Sequence, residues 1–241
     1  MSKFQNVFHK DVEHFQFKEN LKRTHKSDSE DDDEDEMTSY RSGLFYKKNT
    51  AWQFDYYLDG YVTAPSVYRE LLHCLNNMQE CDNLTIHVNS GGGRLDSTMQ
   101  IIGAINNSEG NVTVVAAGMA ASAASILVLQ SPNIIITPIS QMMCHNATYG
   151  VYGKGEEILS SVKFSEKYID KIIHQSYDGF LTEAEIMMLK IGQDFYFDSE
   201  EIIERLGKRA KYQDGLDKKK SLEETKASKP LPKPRVKAKV K

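Results

Sequence analysis

Between residues 57 and 207 apolar side chains recur with two alternating periods. Leu84–Val88 (LTIHV) reads as a short strand, Leu95–Ile105 places Leu95, Met99, Ile102 and Ile105 on one helical face, and Val112–Ala117 is a continuous apolar run suited to a buried strand. Strand, helix and strand in about thirty-five residues make a βαβ unit, which predicts a parallel sheet under helical cover. Ahead of this unit the pattern predicts a strand over Tyr57–Val62 and a helix over Pro65–Asn77 with Val67, Leu71, Leu72 and Leu75 facing inward. Behind it come a helix of small residues over Ser122–Gln130, strands at Asn133–Ile136 and Met142–Cys144, and a glycine-rich stretch at Gly150, Gly153 and Gly155 that leads into a long helix reaching about Ile173. Another helix starts at Thr182, where Thr182 and Glu185 have the spacing of a capping box. The class predicted is α/β.

The two ends break the pattern. Asp28–Glu36 carries eight carboxylates in nine positions, and from Lys218 onward large apolar residues give way to lysine and proline. These features divide the chain into a disordered acidic arm over residues 1–50, a folded domain over 51–210 and a disordered basic tail over 211–241. The net charge of -4 over 241 residues is a sum of unlike parts: -5 for residues 1–36, -8 for 37–207 and +9 for 208–241. Solubilising extensions are the plain reading of both ends. The sharper readings are nucleic-acid or capsid-lattice contact for the basic tail and partner docking or autoinhibition for the acidic arm. No aromatic residue interleaves the basic tail, so stacking on nucleic-acid bases is not expected. Cys74, Cys81 and Cys144 match no zinc or redox spacing and predict a reduced compartment without disulfides. The N-terminal residues carry no apolar run of signal-peptide type, and the longest apolar runs are far short of a membrane span, which predicts a soluble intracellular chain.

Chemistry is concentrated at two glycine-rich turns. Asn89-Ser90-Gly91-Gly92-Gly93 leaves the first strand of the βαβ unit, and its glycines can present backbone N–H groups to a bound group, either a phosphate or an oxyanion. Neither a dinucleotide fingerprint nor a P-loop lysine accompanies it, which disfavours phosphate. The second turn, Ala117–Ser125, sets Ser122 where a buried strand gives way to a helix of small residues, a place where the following N–H can face a developing negative charge. Taken alone, Ser122 reads first as a plain N-cap among tightly packed alanines, and it needs partners before it means more. A nucleophilic serine needs a base and a group that orients that base. Of the seven histidines, His9, His14 and His25 lie in the polar arm, His87 in a strand, and His73 and His174 in helices away from small-residue turns. His145 ends the run Met142-Met143-Cys144 at a sheet edge. Asp194, Asp178 and Asp198 are all candidate orienting carboxylates, and spacing alone does not choose between them.

The succession NSGGG (Asn89–Gly93), GMAAS (Gly118–Ser122), MMCH (Met142–His145) and DFYFDSEE (Asp194–Glu201) resembles the ClpP family of serine proteases, the proteolytic subunits of ATP-dependent Clp proteases, over about Tyr57–Gly207. The resemblance implies a ClpP/crotonase-type fold of repeated β/α units with a mostly parallel sheet and a protruding helical handle. It puts Ser122 on the nucleophile, His145 on the general base, and Asp194 rather than Asp178 or Asp198 on the orienting acid, with the N–H groups of Gly92 or Gly93 and of Ala123 on the oxyanion hole. It further implies no cofactor or metal on this chain, ATP used by a separate AAA+ unfoldase of Clp type, homo-oligomeric rings that are commonly heptameric, unfolded polypeptide substrates, no membrane, and a cytoplasmic location. The divergent core with charged arms resembles phage-encoded members in style, for which host cytoplasm or virion is the implied place. The chain departs from the family pattern at Gly91, where proline is usual, and at Asn146-Ala147, where Gln-Pro is usual. A short gap from Ser122 to His145 predicts a tightened connection around residues 131–137, and the acidic arm stands where short axial pore loops are usual. The rival readings are a prohead or capsid maturation protease, a catalytically silent structural ring subunit, and a crotonase-like acyl-CoA enzyme in which the serine, histidine and aspartate have no role.

Overall fold

The computed structural model describes residues 44–48 and 51–227. Among the described residues seven strands form one sheet: β1 (Leu44–Lys48), β2 (Trp52–Val62), β3 (Asn83–Gly93), β4 (Asn111–Ala121), β5 (Asn133–Ile136), β6 (Gln141–Cys144) and β7 (Phe195–Phe197). The helices are α1 (Arg69–Asn77), α2 (Leu95–Asn107), α3 (Ala123–Leu129), α4 (Gly155–Tyr177), α5 (Glu183–Lys190) and α6 (Ser199–Ala227), with a short 3₁₀ turn over Pro65–Tyr68. The spatial order is β1-β2-β3-β4-β6-β7, with β5 also on β4. Strands β2 to β6 pair in parallel and only β1 and β7 run antiparallel to their neighbours. This is the α/β, mostly parallel architecture expected from the sequence, and it is consistent with a ClpP-type fold.

One edge of β4 takes two partners in succession. Residues 113–116 pair with β5 and residues 119–121 with β6. The switch is made at Thr137–Ser140, where the buried Ser140 Oγ donates to the Ala116 carbonyl at 2.5 Å and accepts the Thr137 N–H at 3.0 Å. The tight connection thus lies just beyond the predicted 131–137. Its effect is to carry β6 alongside the end of β4, bringing Cys144, the residue before His145, level with Ser122, the residue after Ala121.

Three expectations from the pattern change. β3 and β4 bury alternate residues, so Val112, Val114 and Ala116 are interior whereas Thr113, Val115 and Ala117 are half-exposed. The continuous apolar run is therefore covered fully on one face only. Val67 stands 48% exposed while its neighbour Tyr68 is buried, because Pro65–Tyr68 is wound at three residues per turn and shifts the helical phase before α1 begins. β1 lies inside the arm that charge alone assigns to disorder, and α6 continues through residues 211–227 of the expected basic tail. That segment mixes acids and bases and meets no proline before Pro230, and just ahead of it in the same helix Glu204 and Lys208 pair at 2.7 Å. The remainder of the acidic arm and residues 228–241 lie outside the described residues. Among the described residues no helix is long and apolar enough to cross a membrane.

Helix α6 is tied to the body by two arginines. Asp198 and Glu201 start it with a capping box, each side chain accepting the other's backbone N–H. Arg205 makes a bidentate contact to Glu185 at 2.7 and 3.0 Å, donates to the Phe180 carbonyl and lies 4.3 Å from the Phe197 ring centre. Glu185 in turn closes the Thr182 capping box predicted from sequence. The Arg205 guanidinium, helped by Thr182, holds the Glu185 carboxyl at about 2, below its ordinary 4.5. A lowered carboxyl stabilises the fold fully above pH 4.5, and the contribution drains away as pH falls from there toward 2. The loss is expected to be on the order of 2–3 kcal/mol. Urea unfolding at pH 6 and pH 3 should show a smaller acid loss for Glu185→Gln than for the parent chain, and equal losses would contradict this.

Candidate active site

The site forms where β3, β4, β6 and the first turn of α3 converge. Ser90 pairs with Ala120, so the two glycine-containing motifs are strand neighbours. Asn89 Oδ1 accepts the Met119 N–H at 3.1 Å, and a side chain at Gly118 would strike that oxygen, its Cβ falling 2.6 Å away. Gly92 is packed against the other side of the turn: a Cβ there would lie 2.6 Å from the Ala121 carbonyl oxygen and 2.7 Å from Ser122 Cβ. The glycines of the first motif are therefore needed for close backbone approach as much as for turning. The first motif is also an extension of β3 rather than a loop, since β3 pairs with β2 as far as Gly93, past a register shift.

Ser122 is no ordinary helix cap. Its side chain makes no capping hydrogen bond, and its backbone stands at φ 56°, ψ -124°, the only positive φ at a non-glycine residue among the described residues. Such a conformation costs roughly 1–3 kcal/mol and persists only where the surroundings enforce it. Here the Ser122 N–H donates to the Met143 carbonyl at 2.8 Å, and the Ser122 carbonyl accepts from Ser125 N–H at 2.9 Å and from Ser125 Oγ at 2.7 Å. The hydroxyl is turned out and lies within hydrogen-bond distance of His145 Nε2, at 2.6 Å.

Sheet register brings the histidine and the aspartate together. β6 lies between β4 and β7, and Cys144 pairs with Phe195, so the next residues outward, His145 and Asp194, face each other. His145 Nδ1 is 4.0 Å from Asp194 Oδ1, with side chains 27% and 45% exposed. With Nε2 facing the serine hydroxyl, Nδ1 is the nitrogen turned toward the carboxylate. The other carboxylates are engaged elsewhere: Asp178 with His174 at 3.0 Å, and Asp198 with the first turn of α6. His87 pairs with Asp55 at 2.9 Å and stacks on Tyr57, away from this group, and His73 contacts Asn77.

Ser122, Ala123, His145 and Gly93 line one side of a cleft of about 1030 Å³, whose other wall is formed by α4 through Tyr168, Ile172 and Tyr177. Ala123 is the first residue of α3, where N–H groups have no carbonyl of their own helix to bond. The Gly92 N–H donates to Ser90 Oγ at 3.1 Å, and Gly92 is not part of the cleft wall. Among the described residues no group of His, Cys, Asp and Glu side chains is arranged to hold a metal ion.

A Clp protease family model matches residues 61–205, from the end of β2 into α6. The chain belongs to the Clp protease family. The match covers roughly three-fifths of the chain and includes Ser122, His145 and Asp194. At the level of the family the protein is a ClpP-type serine peptidase. In this member of the Clp protease family, the partners that sequence reasoning passes over are Ser125, Tyr177 and Asn89. Ser125 follows Ser122 by three residues, which is the helical repeat and the one signal that could have marked it. Tyr177 comes from a distant helix with no sequence cue. Behind the site, burial pushes the Cys144 thiol up to about 12, so it is an inert core residue rather than a nucleophile.

Proposed function

We propose that this protein is a serine endopeptidase that cleaves unfolded polypeptide within a homo-oligomeric chamber, with Ser122, His145 and Asp194 as its catalytic triad. His145 Nε2 takes the Ser122 proton as Oγ attacks the peptide carbonyl, and Asp194 holds the ring tautomer and stabilises the imidazolium that forms. The N–H groups of Gly93 and Ala123 receive the tetrahedral oxyanion. The imidazolium protonates the leaving amine, and water, activated by the same ring, releases the acyl group from Ser122. Gly92, its N–H already given to Ser90, serves by allowing the strand to lie against the nucleophile turn.

The observation that carries this reading is the 2.6 Å contact from a strained Ser122 to His145. A catalytically silent subunit would have no use for that backbone conformation. Chamber assembly is supported by apolar side chains left exposed on α4, Phe164 at 69% and Leu159 at 54%. An AAA+ unfoldase of Clp type is the ATP-using partner in this reading, and the peptidase chain itself needs no cofactor.

Hydrolysis of a fluorogenic peptide and of unfolded casein, with native mass measurement, tests the proposal. Asp194→Asn is expected to lower kcat by about 10³- to 10⁴-fold by giving the ring the wrong partner. In this reading the 4.0 Å separation of His145 and Asp194 must tighten to a hydrogen bond in the substrate complex. An Asp194→Asn variant with parental kcat, or a parent chain without peptidase activity in any oligomeric form, would refute the assignment.

A further inference from the structure

Behind the nucleophile lies a line of hydroxyls that the proposed reaction does not use. Ser125 on α3 and Tyr177, the last residue of α4, are both fully buried. Ser125 Oγ is 2.7 Å from the Ser122 carbonyl oxygen and 2.9 Å from the Tyr177 phenol oxygen. A carbonyl can only accept, so the single Ser125 proton is committed to Ser122. The Tyr177 hydroxyl must then donate to Ser125 Oγ. Burial raises the Tyr177 pKa well above its ordinary value, so it remains a donor at neutral pH. The order of donation is fixed: Tyr177 to Ser125 to the carbonyl of Ser122.

The peptide group on which this line ends controls the chemistry. The Ser122 C=O and the Ala123 N–H belong to one planar trans peptide and point in opposite directions, so a hold on one aims the other. That plane sits beside the strained dihedrals of Ser122, where an unheld backbone would relax. The far end is anchored as well, because the buried Arg209 of α6 donates to the Ser176 carbonyl in the turn of α4 that carries Tyr177.

We propose that Ser125 and Tyr177 are positioning residues that grip the Ser122–Ala123 peptide by its carbonyl and so aim the Ala123 N–H at the oxyanion. This rests on Ser122 being the nucleophile and Ala123 an oxyanion donor. It makes the end of α4 a structural determinant of transition-state binding, although none of its atoms touches the reacting centre.

The test compares the full chain with Tyr177→Phe, Ser125→Ala and the double variant, by steady-state peptide hydrolysis and by binding of a peptide aldehyde, which forms a tetrahedral adduct. Loss of a whole oxyanion donor costs about 10²- to 10³-fold, so a misaimed donor is expected to cost about 10- to 100-fold in kcat for Ser125→Ala and about 3- to 10-fold for Tyr177→Phe. KM should stay within about twofold, and aldehyde affinity should fall in step with kcat. Because Tyr177 acts through Ser125, the double variant should match Ser125→Ala alone. Tyr177→Phe keeps the buried ring, so it decides the question even if Ser125→Ala does not fold. Parental kcat in a folded Tyr177→Phe, a loss confined to KM, or losses that multiply in the double variant would each overturn the inference. If the parent chain is not acylated at Ser122, the nucleophile reading falls and takes this one with it. If it is acylated and the variants react equally fast, this inference alone falls.

Discussion

Replacing Ser122 by alanine is expected to lower kcat for peptide hydrolysis by about 10⁵- to 10⁶-fold, leaving only what cleft binding and the oxyanion donors supply. The removed atom is the one that His145 Nε2 contacts at 2.6 Å, and no other described serine touches a histidine. The fold should be unharmed, since the backbone at this position is held by its own N–H and carbonyl bonds rather than by the hydroxyl. A second substitution separates chemistry from strain. Ser122→Gly should be equally inactive but more stable than Ser122→Ala by about 1 kcal/mol, because glycine adopts φ 56° without a Cβ clash. Parallel peptide assays and thermal unfolding check both statements. An active Ser122→Ala would remove Ser122 from the mechanism, and equal stabilities of the two variants would remove the strain from the description of the turn.

The second large effect concerns a residue without a side chain. Gly92→Ala would place a methyl group 2.6 Å from the Ala121 carbonyl oxygen, 2.7 Å from Ser122 Cβ and 3.0 Å from the Ala123 nitrogen, at a backbone φ of +91°. Backbone forms most of that contact and cannot rotate away. Strain and overpacking together should destabilise the chain by about 2–5 kcal/mol, and displacement of the turn at Ser122 should cost at least about a hundredfold in kcat. Gly103 provides the control. It lies in α2 with open space where a Cβ would stand, so Gly103→Ala should retain activity and gain about 0.5–1 kcal/mol from helix propensity. Denaturant melts and initial rates for the two variants give the answer, and an active, stable Gly92→Ala would contradict the close approach.

Much of this was legible in the chain. The strand and helix periods of Leu84–Ala117 translate into β3, α2 and β4, and the Thr182 capping box is present where the spacing sets it. Both glycine motifs fall at the site because close backbone approach leaves a direct mark in the residue type. What could not be read is what depends on register and topology. The fork of β4 between β5 and β6 rests on two hydroxyls, Thr137 and Ser140, that look like loop residues. The opposition of His145 and Asp194 follows from a strand of three residues, β7, too short to leave a period. The same holds for Tyr177 and Arg209. Arg209 is counted in the +9 of residues 208–241, yet it is buried, its pKa lowered by that burial, and it serves the end of α4. Charge density describes a segment on average, and a single buried arginine is lost in that average.

The central claim is that Ser122 is an activated nucleophile, and covalent labelling reaches it most directly. The full chain would be incubated with a fluorophosphonate, its intact mass measured, and the adduct located by peptide mapping in the parent, Ser122→Ala and His145→Ala forms. A single adduct on Ser122 in the parent, none in Ser122→Ala and a much slower reaction in His145→Ala is the predicted result. An unlabelled parent chain, or an adduct on another residue that survives Ser122→Ala, would contradict it.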